Sequence, residues 1–400
     1  MRMRFALGLP LLLAPLAVAQ EPALGPWQAW LDSPGGRLAF GLDLVQGKSG
    51  VQAVLVNGQE RIAPVAVRVT DAAMVIDLGH YDATLEAELS ADGRSLDGRW
   101  RKRRGVDAFA ELPFHARHGA RPALSDAPEA ADAWVGRFAV QFAQDPHPAV
   151  AILQAAGAGA IDGTFLTALG DYRFLRGQGS AAGLELSCFD GAHAFLFRAR
   201  RGESGAIAGD FWSADRWHET WTGARDDAAA LPDPLGIARV RPGAKLTGIL
   251  PTVQGEPLDL TGCAGRPTVL LLFGSWCPNC HDASDTLVAL HREFAGRGLQ
   301  VVGLAFEVTD DAERNRRVLR RYAERHSVPW PIALAGPADK AKATAAFPYL
   351  ERLVAYPTTV FVDRDGEARA VFSGFTGPAA PTDHARLVAQ WRGLLEAIVR

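Results

Sequence analysis

Two cysteines separated by two residues, Cys277 and Cys280, are the side chains of this sequence best suited to covalent chemistry. They follow an apolar run at residues 268–274 that predicts a buried strand, and they open a stretch with helical periodicity. At the start of a helix, unpaired backbone N–H groups and the helix dipole stabilise an anion, so the first cysteine can be a thiolate near neutral pH. The second cysteine lies one helical turn further on and can resolve a mixed disulfide formed at the first. The pair therefore predicts a redox-active dithiol, Cys277–Cys280, that needs no further cofactor.

The segments that must position this pair alternate between strand and helix. We predict strands at 268–274, 299–306, 358–362 and 368–372, and helices at 280–297, 310–326 and from residue 382 onward. Strands that alternate with helices predict an α/β domain with a mixed sheet covered on both faces. We place this domain at 236–400, after a linker at 224–243 that is rich in proline, alanine and aspartate.

Two segments of this domain, 267–280 (PTVLLLFGSWCPNC) and 356–363 (YPTTVFVD), carry a family resemblance. They resemble the TlpA/ResA-like branch of the thioredoxin superfamily, and the two motifs together are far more specific than a lone C-x-x-C. The resemblance covers 236–400 and implies a thioredoxin-like fold. It also implies a thiol–disulfide oxidoreductase that acts as a reductase of protein disulfides.

The same resemblance assigns further residues and partners. It implies that Pro357 is a cis-proline facing the disulfide and that the backbone of Tyr356 offers hydrogen bonds to a bound substrate. Trp276 and Thr358 then help to position that substrate. The implied partners are proteins with disulfides, apocytochromes c among them, and a membrane thiol electron donor that recharges the reductase.

The sequence also departs from the family pattern. The buried acid that thioredoxins place before the first cysteine would fall at Leu271, and the glutamate that some ResA-like members place after the second would fall at Ala283. Asp282 and Glu307 are the substitutes we consider for proton transfer from Cys280. A solvated helix charge or a strand-end acid explains each of them as well, and we favour that simpler interpretation.

The cysteine pair also fits a second chemistry, because Cys277-x-x-Cys280-His281 matches the attachment signature of c-type haem. Haem attachment consumes both thiols and needs a second axial ligand, and it is typical of a small helical domain. An apolar strand before the motif and the Pro357 segment after it favour redox thiols instead. In that case His281 lies in the first turn of the helix, where it could help to hold a thiolate.

The N-terminus predicts export. Arg2 and Arg4 precede an apolar run at 5–16 and a small-residue cleavage signal at 17–19, so we predict a signal peptide at 1–19 and a periplasmic protein. A membrane anchor is the alternative, but the run is short and contains two prolines. The formal net charge of -3 provides no basic field for nucleic acid, and we expect no nucleic-acid partner.

The region between the signal peptide and the α/β domain predicts only strands. Alternating runs separated by Asn-Gly and Asp-Gly turns occur at 20–105 and again at 132–226, with a connector at 111–132. Similar strand and turn order in the two stretches suggests an internal duplication that folds as an all-β sandwich or barrel-like body. A second hypothesis for function follows, in which this body binds a partner or ligand and the C-x-x-C pair only senses redox state.

The other two cysteines, Cys188 and Cys263, could bridge the β-rich body to the α/β domain. Pairing cannot be deduced from sequence, and we favour two unrelated buried cysteines. His115 and His118, and also His218 with its neighbours, do not complete a ligand set, so we predict no metal site.

Overall fold

The protein is described by a computed structural model that covers residues 21–62, 65–70, 73–119, 131–157 and 159–400. The predicted signal peptide at 1–19 lies outside the described residues. Across the described ranges, no helix is both long enough and apolar enough to cross a membrane.

The first nine strands form one antiparallel sheet that closes on itself. They are β1 (Gly25–Ser33), β2 (Gly36–Gly47), β3 (Gly50–Asn57), β4 (Glu60–Arg61), β5 (Val65–Val69), β6 (Met74–Leu78), β7 (Ala83–Leu89), β8 (Ser95–Arg103) and β9 (Phe109–His118). Strand β1 pairs with β2 and β9, and β2 also pairs with β3, so eight strands close a barrel and β4 only extends β3. Alternate side chains point inward and fill this first barrel, with Trp27 and Trp100 fully buried.

The next nine strands repeat this arrangement as a second barrel. They are β10 (Gly136–Phe142), β11 (Ala149–Ala155), β12 (Ala160–Thr167), β13 (Gly170–Asp171), β14 (Leu175–Ser180), β15 (Gly183–Phe189), β16 (Ala194–Arg201), β17 (Ile207–Ser213) and β18 (Trp217–Arg225). The strand order is the same as in the first barrel when nine is added to each strand number. An internal duplication produces such a shared order, and the all-β, barrel-like N-terminal region agrees with the prediction.

The first barrel extends beyond the boundary that we predicted at residue 105. Strand β9 lies in the segment that we interpreted as a connector, yet it pairs with both β8 and β1. Pro113 and a composition rich in alanine and arginine made this strand resemble a linker. Its pairing partners on β1 are more than 80 residues away in the chain, so local sequence patterns do not predict this pairing.

The two barrels share part of their interior. Phe189 and Ala194 of the second barrel belong to the hydrophobic core of the first. Asn57 exchanges two hydrogen bonds of 3.1 Å with the backbone of Phe189, and the Trp100 indole donates to the carbonyl of Gly191 (3.1 Å). The two barrels therefore pack against each other through a shared core and are not separate domains joined only by a linker.

The C-terminal domain contains a five-stranded mixed sheet, preceded by a small hairpin of β19 (Ile249–Pro251) and β20 (Pro257–Asp259). The sheet order is β23-β22-β21-β24-β25, with β21 (Thr268–Phe273), β22 (Gln300–Glu307), β23 (Ile332–Pro337), β24 (Thr358–Val362) and β25 (Ala368–Ser373). Its helices are α1 (Pro278–Phe294), α2 (Ala312–His326), α3 (Lys340–Ala346) and α4 (Pro381–Ile398). The sequence predicted this α/β arrangement apart from β23 and α3, which are short and weakly patterned.

Candidate active site

The two cysteines lie at the N-terminus of α1, directly after β21. Cys277 caps the helix with an extended backbone, and the N–H of Cys280 donates to the carbonyl of Cys277 (3.0 Å). This tight turn places the two sulfur atoms 2.6 Å apart. Cys277 is 8% exposed whereas Cys280 is fully buried, so Cys277 is the more accessible of the two thiols. Burial and the neighbouring Cys277 sulfur raise the pKa of the Cys280 thiol well above its usual range.

The loop before β24 lies against the cysteine pair. The Tyr356–Pro357 peptide bond is cis, as the resemblance implies, and the Cys277 sulfur contacts the Tyr356 carbonyl oxygen at 3.7 Å. The rings of Trp276 and Tyr356 meet edge to face at 5.5 Å, and the Trp276 indole donates to the carbonyl of Phe306 (3.0 Å). The structure therefore gathers Trp276, Tyr356 and Pro357 around Cys277.

Thr358, the next residue in that loop, is fully buried. Its hydroxyl donates to the carbonyl of Ala355 (2.8 Å) and lies 3.0 Å from the hydroxyl of Ser373. Both contacts hold the loop in place. The side chain of Thr358 therefore stabilises the loop, and because it is buried it cannot contact a substrate directly.

Glu307 ends β22 beneath the active-site turn and is 2% exposed. Its two carboxyl oxygens accept hydrogen bonds from the backbone N–H (2.9 Å) and the hydroxyl (2.8 Å) of Ser275, two residues before Cys277. Burial raises the pKa of Glu307 from 4.5 to about 7, and the two bonds from Ser275 oppose that shift. This carboxyl is therefore poised to change protonation near neutral pH.

Asp282, the other acid considered for proton transfer, is paired with a residue of the second barrel. Its carboxylate forms a close ion pair with the guanidinium of Arg173, a buried residue of the second barrel. Glu307 thus lies at the turn that carries the cysteines, whereas the ion pair of Asp282 joins α1 to the second barrel.

The barrels cover the face of the domain that carries the cysteines. Lys102 of β8 donates to the carbonyl of Trp276 (3.1 Å), and Asn279 of α1 donates to the carbonyl of Asp171 in the second barrel (3.2 Å). The Tyr81 ring of the first barrel packs on His281 with centroids 4.6 Å apart. These contacts explain why Cys277 is so little exposed.

The His281 side chain is buried where α1 packs against the first barrel, and both of its ring nitrogens have partners. One ring nitrogen, Nε2, donates to the carbonyl of Ser275 (2.8 Å), and Nδ1 lies 2.6 Å from Nε2 of His326. His326 in turn contacts Asp285 at 2.6 Å. Burial and the adjacent His326 lower the pKa of His281 well below its usual range. Because both ring nitrogens already have partners, His281 is poorly placed to ligate haem iron.

Cys188 and Cys263 are both buried free thiols. Burial raises the pKa of each, which makes them poor nucleophiles at neutral pH. In the part of the chain that the structure describes, no group of three or more histidine, cysteine, aspartate or glutamate residues is arranged to hold a metal ion.

Sequence reasoning missed the residues that the barrels contribute to this site. A signal existed for Lys102, because strand alternation places it on the same side of β8 as the buried Leu96 and Trp100. No local signal existed for Arg173, since its acidic partners lie on three distant segments.

The sheet order, the C-x-x-C turn at a helix start and the facing cis-proline together define a thioredoxin-like domain. Residues 242–371 match the model of the AhpC/TSA family, so this part of the chain is similar to that family. Relatives named as thiol-disulfide oxidoreductases confirm the resemblance to the ResA-like branch.

Two curated relatives illustrate the extent of the match. Thioredoxin-like protein YneN of Bacillus subtilis (strain 168) is 26% identical over 125 residues, which are 31% of this chain and 66% of that protein. Thiol-disulfide oxidoreductase ResA of Bacillus thuringiensis subsp. konkukian (strain 97-27) is 20% identical over 119 residues, 30% of this chain and 61% of that protein. The match thus spans less than two thirds of the length of either relative.

Solved structures with a similar domain include a secreted Mycobacterium tuberculosis disulfide oxidoreductase homologous to E. coli DsbE. It is 19% identical, covers 38% of this chain and 96% of its own, and has a TM-score of 0.29. StoA from Bacillus subtilis is 17% identical, covers 38% of this chain and 98% of its own, and has a TM-score of 0.28.

Proposed function

We propose that this chain is an exported, periplasmic thiol–disulfide oxidoreductase that reduces disulfides of other proteins through Cys277 and Cys280. The observation that carries the proposal is the placement of the two sulfurs at the start of α1, with Cys277 alone reaching the surface beside the Tyr356 carbonyl. A helix N-terminus favours the thiolate that attacks, and a buried partner thiol is protected until it is needed.

The reaction takes two exchange steps. The Cys277 thiolate attacks one sulfur of a substrate disulfide, which forms a mixed disulfide and releases the other substrate sulfur as a thiolate that takes up a proton. Cys280 then gives up its proton and attacks the Cys277 sulfur, which releases the second substrate sulfur. The substrate gains two electrons and two protons, and the chain is left with a Cys277–Cys280 disulfide.

The remaining roles follow from positions around Cys277. Trp276, Tyr356 and Pro357 would orient the substrate segment, and Thr358 would hold their loop. The substrates are proteins with disulfides, a class that includes apocytochromes c. A membrane thiol electron donor returns two electrons and two protons to the Cys277–Cys280 disulfide, which restores the dithiol for the next turnover.

The reduction potential of the purified protein tests this proposal. We expect the chain to accelerate insulin reduction by dithiothreitol, and its equilibrium with glutathione to give a potential near the thioredoxin value of about −270 mV. A fully reduced cysteine pair that does not accelerate insulin reduction would contradict the proposal. It would support the second hypothesis, in which the barrels bind a partner and the pair only senses redox state.

We propose that Glu307 accepts the proton of Cys280 in the second step. Its carboxyl is buried, is held by Ser275, and is close enough to raise the pKa of Cys280 when it is ionised. Below about pH 7 the Glu307 carboxyl is protonated and cannot accept a proton, whereas above that pH it can. The second step should therefore become faster as pH rises through 7.

Glu307→Gln is expected to slow the second step about tenfold at pH 8 and to remove its rise around pH 7. Glutamine keeps the shape and can still accept from the Ser275 N–H, so the active-site turn should persist. The measurement is a stopped-flow trace of mixed-disulfide decay between pH 5.5 and 8.5. Glu293→Gln is the matched control, because Glu293 pairs with Arg392 on the exposed side of the domain. A normal pH profile in Glu307→Gln would exclude this role.

A further inference from the structure

One cation of the first barrel reaches the redox pair of the C-terminal domain. Along β8, the side chains of Leu96 and Trp100 point into the barrel, and Lys102 continues that row at the barrel end. Burying a lysine ammonium at an inward-facing position costs free energy unless the ammonium is hydrogen-bonded or paired with an anion. Here the row ends against the C-terminal domain, so the ammonium lies where three parts of the chain meet.

The contacts of Lys102 are two backbone carbonyls. Its ammonium donates to Ala192 of the second barrel and to Trp276, the residue directly before Cys277, each at 3.1 Å. Two of its three N–H groups are thereby used. Among the described ion pairs within 4.0 Å, none involves Lys102. Carbonyl oxygens satisfy hydrogen bonds but do not neutralise the charge.

The electrostatic surroundings of Lys102 single out one anion. Burial lowers the pKa of its ammonium to about 8, and the charges that act against this shift are those of Asp190 and the Cys277 thiolate. Asp190 is already bonded to His193 at 3.0 Å and lies 3.5 Å from the guanidinium of Arg173. Asp190 therefore already has cationic partners, and the Cys277 thiolate is the other anion that acts on Lys102.

We propose that the Lys102 ammonium is the counter-charge of the Cys277 thiolate, so that the first barrel completes the redox site of the C-terminal domain. This inference rests on the proposed function and deepens it. A cation beside the thiolate stabilises the reduced pair, which makes the pair more oxidising and keeps Cys277 reactive at lower pH. The first barrel then contributes a residue to the redox site.

The test removes the charge of Lys102 and keeps one of its two hydrogen bonds. Lys102→Gln retains a side-chain N–H for one carbonyl but carries no charge, Lys102→Arg keeps the charge, and Arg99→Gln is the control on the exposed side of the same strand. In the Cys280→Ala background, the rate of iodoacetamide alkylation at Cys277 is followed against pH. Tyr322 and Tyr356, which interact electrostatically with Cys277, stay protonated over the range used. Glu307, held by Ser275 two residues before Cys277, has a pKa of about 7 and titrates in this range in the parent protein and in every variant alike.

We expect Lys102→Gln to slow alkylation about tenfold at pH 6.5 and to shift the equilibrium of the intact pair with glutathione about tenfold toward the disulfide, which corresponds to ~30 mV. Lys102→Arg should keep the alkylation rate and the glutathione equilibrium close to those of the parent protein, and Arg99→Gln should change neither quantity. Alkylation and equilibrium within twofold of the parent protein in a folded Lys102→Gln variant would overturn the inference, as would equal losses in Lys102→Gln and Lys102→Arg. Both results leave insulin reduction by the parent protein intact, which distinguishes them from failure of the proposed function.

Discussion

Replacing Cys277 by serine is expected to reduce insulin turnover to the uncatalysed rate, whereas Cys280→Ala is expected to stop the reaction one step later. The reason is the asymmetry of the pair, because Cys277 alone reaches the surface and Cys280 is enclosed. Without Cys280, a mixed disulfide at Cys277 has no internal thiol to resolve it and accumulates. Mass spectrometry of the Cys280→Ala protein after mixing with a disulfide peptide should show the peptide attached at Cys277.

The control for this experiment is a cysteine with similar burial and no neighbouring thiol. Cys263 of the C-terminal domain is buried and free, so Cys263→Ala should retain turnover close to that of the parent protein. Turnover that survives in Cys277→Ser, or a peptide adduct found on Cys263 or Cys188, would show that the chemistry lies elsewhere.

Replacing Arg173 by methionine is expected to destabilise the whole assembly by about 3–5 kcal/mol at pH 7. The guanidinium lies among Glu60 of the first barrel (2.7 Å), Asp190 of the second (3.5 Å) and Asp282 of α1. Its side chain is only 6% exposed, so its removal leaves three carboxylates without their common cation in a poorly hydrated place. This cluster links the barrels to the helix that carries the cysteines.

The loss of folding stability in Arg173→Met should depend on pH. Burial raises the pKa of Glu60 above 4.5 even with Arg173 present, and without the cation this pKa rises further. Carboxyls that take up protons no longer repel each other, so the destabilisation should shrink as pH falls from 7 toward 5. Urea unfolding followed by tryptophan fluorescence at both pH values measures the effect.

Arg176→Met is the matched comparison for Arg173→Met. Arg176 lies on the neighbouring strand β14 and pairs with Asp162 at 2.9 Å, but its side chain is 36% exposed. Water replaces such an exposed partner readily, and a loss under about 1 kcal/mol is expected. Equal losses in the two variants would contradict the central role assigned to Arg173.

The sequence predicted those parts of the fold and site that depend on local patterns. The cysteine pair, the strand before it and the cis-proline loop each occupy a short stretch of chain, and all three lie where we predicted them. Glu307 could be proposed because an acid at the end of a buried strand is conspicuous. Strand alternation marks Lys102 as inward-facing, but Lys102 and Arg173 contact residues 174 and 109 positions away, respectively, and no local pattern identifies those partners. Strand β9 was missed because its composition resembles that of a linker and its pairing with β1 joins residues more than 80 positions apart.

The two barrels share a strand order but hold the C-terminal domain through different elements. The first uses Lys102 at the end of β8 and Tyr81 before β7, whereas the second uses Asp171 and Arg173 around the turn after β13. A domain held at one point can swivel, while a domain held at two separated points keeps a fixed orientation. These separated contacts therefore fix the orientation of the cysteine pair relative to both barrels. Under the proposed function, a partner protein must bring its disulfide to Cys277 past the surrounding barrel residues, so the shape of the partner limits which disulfides can react.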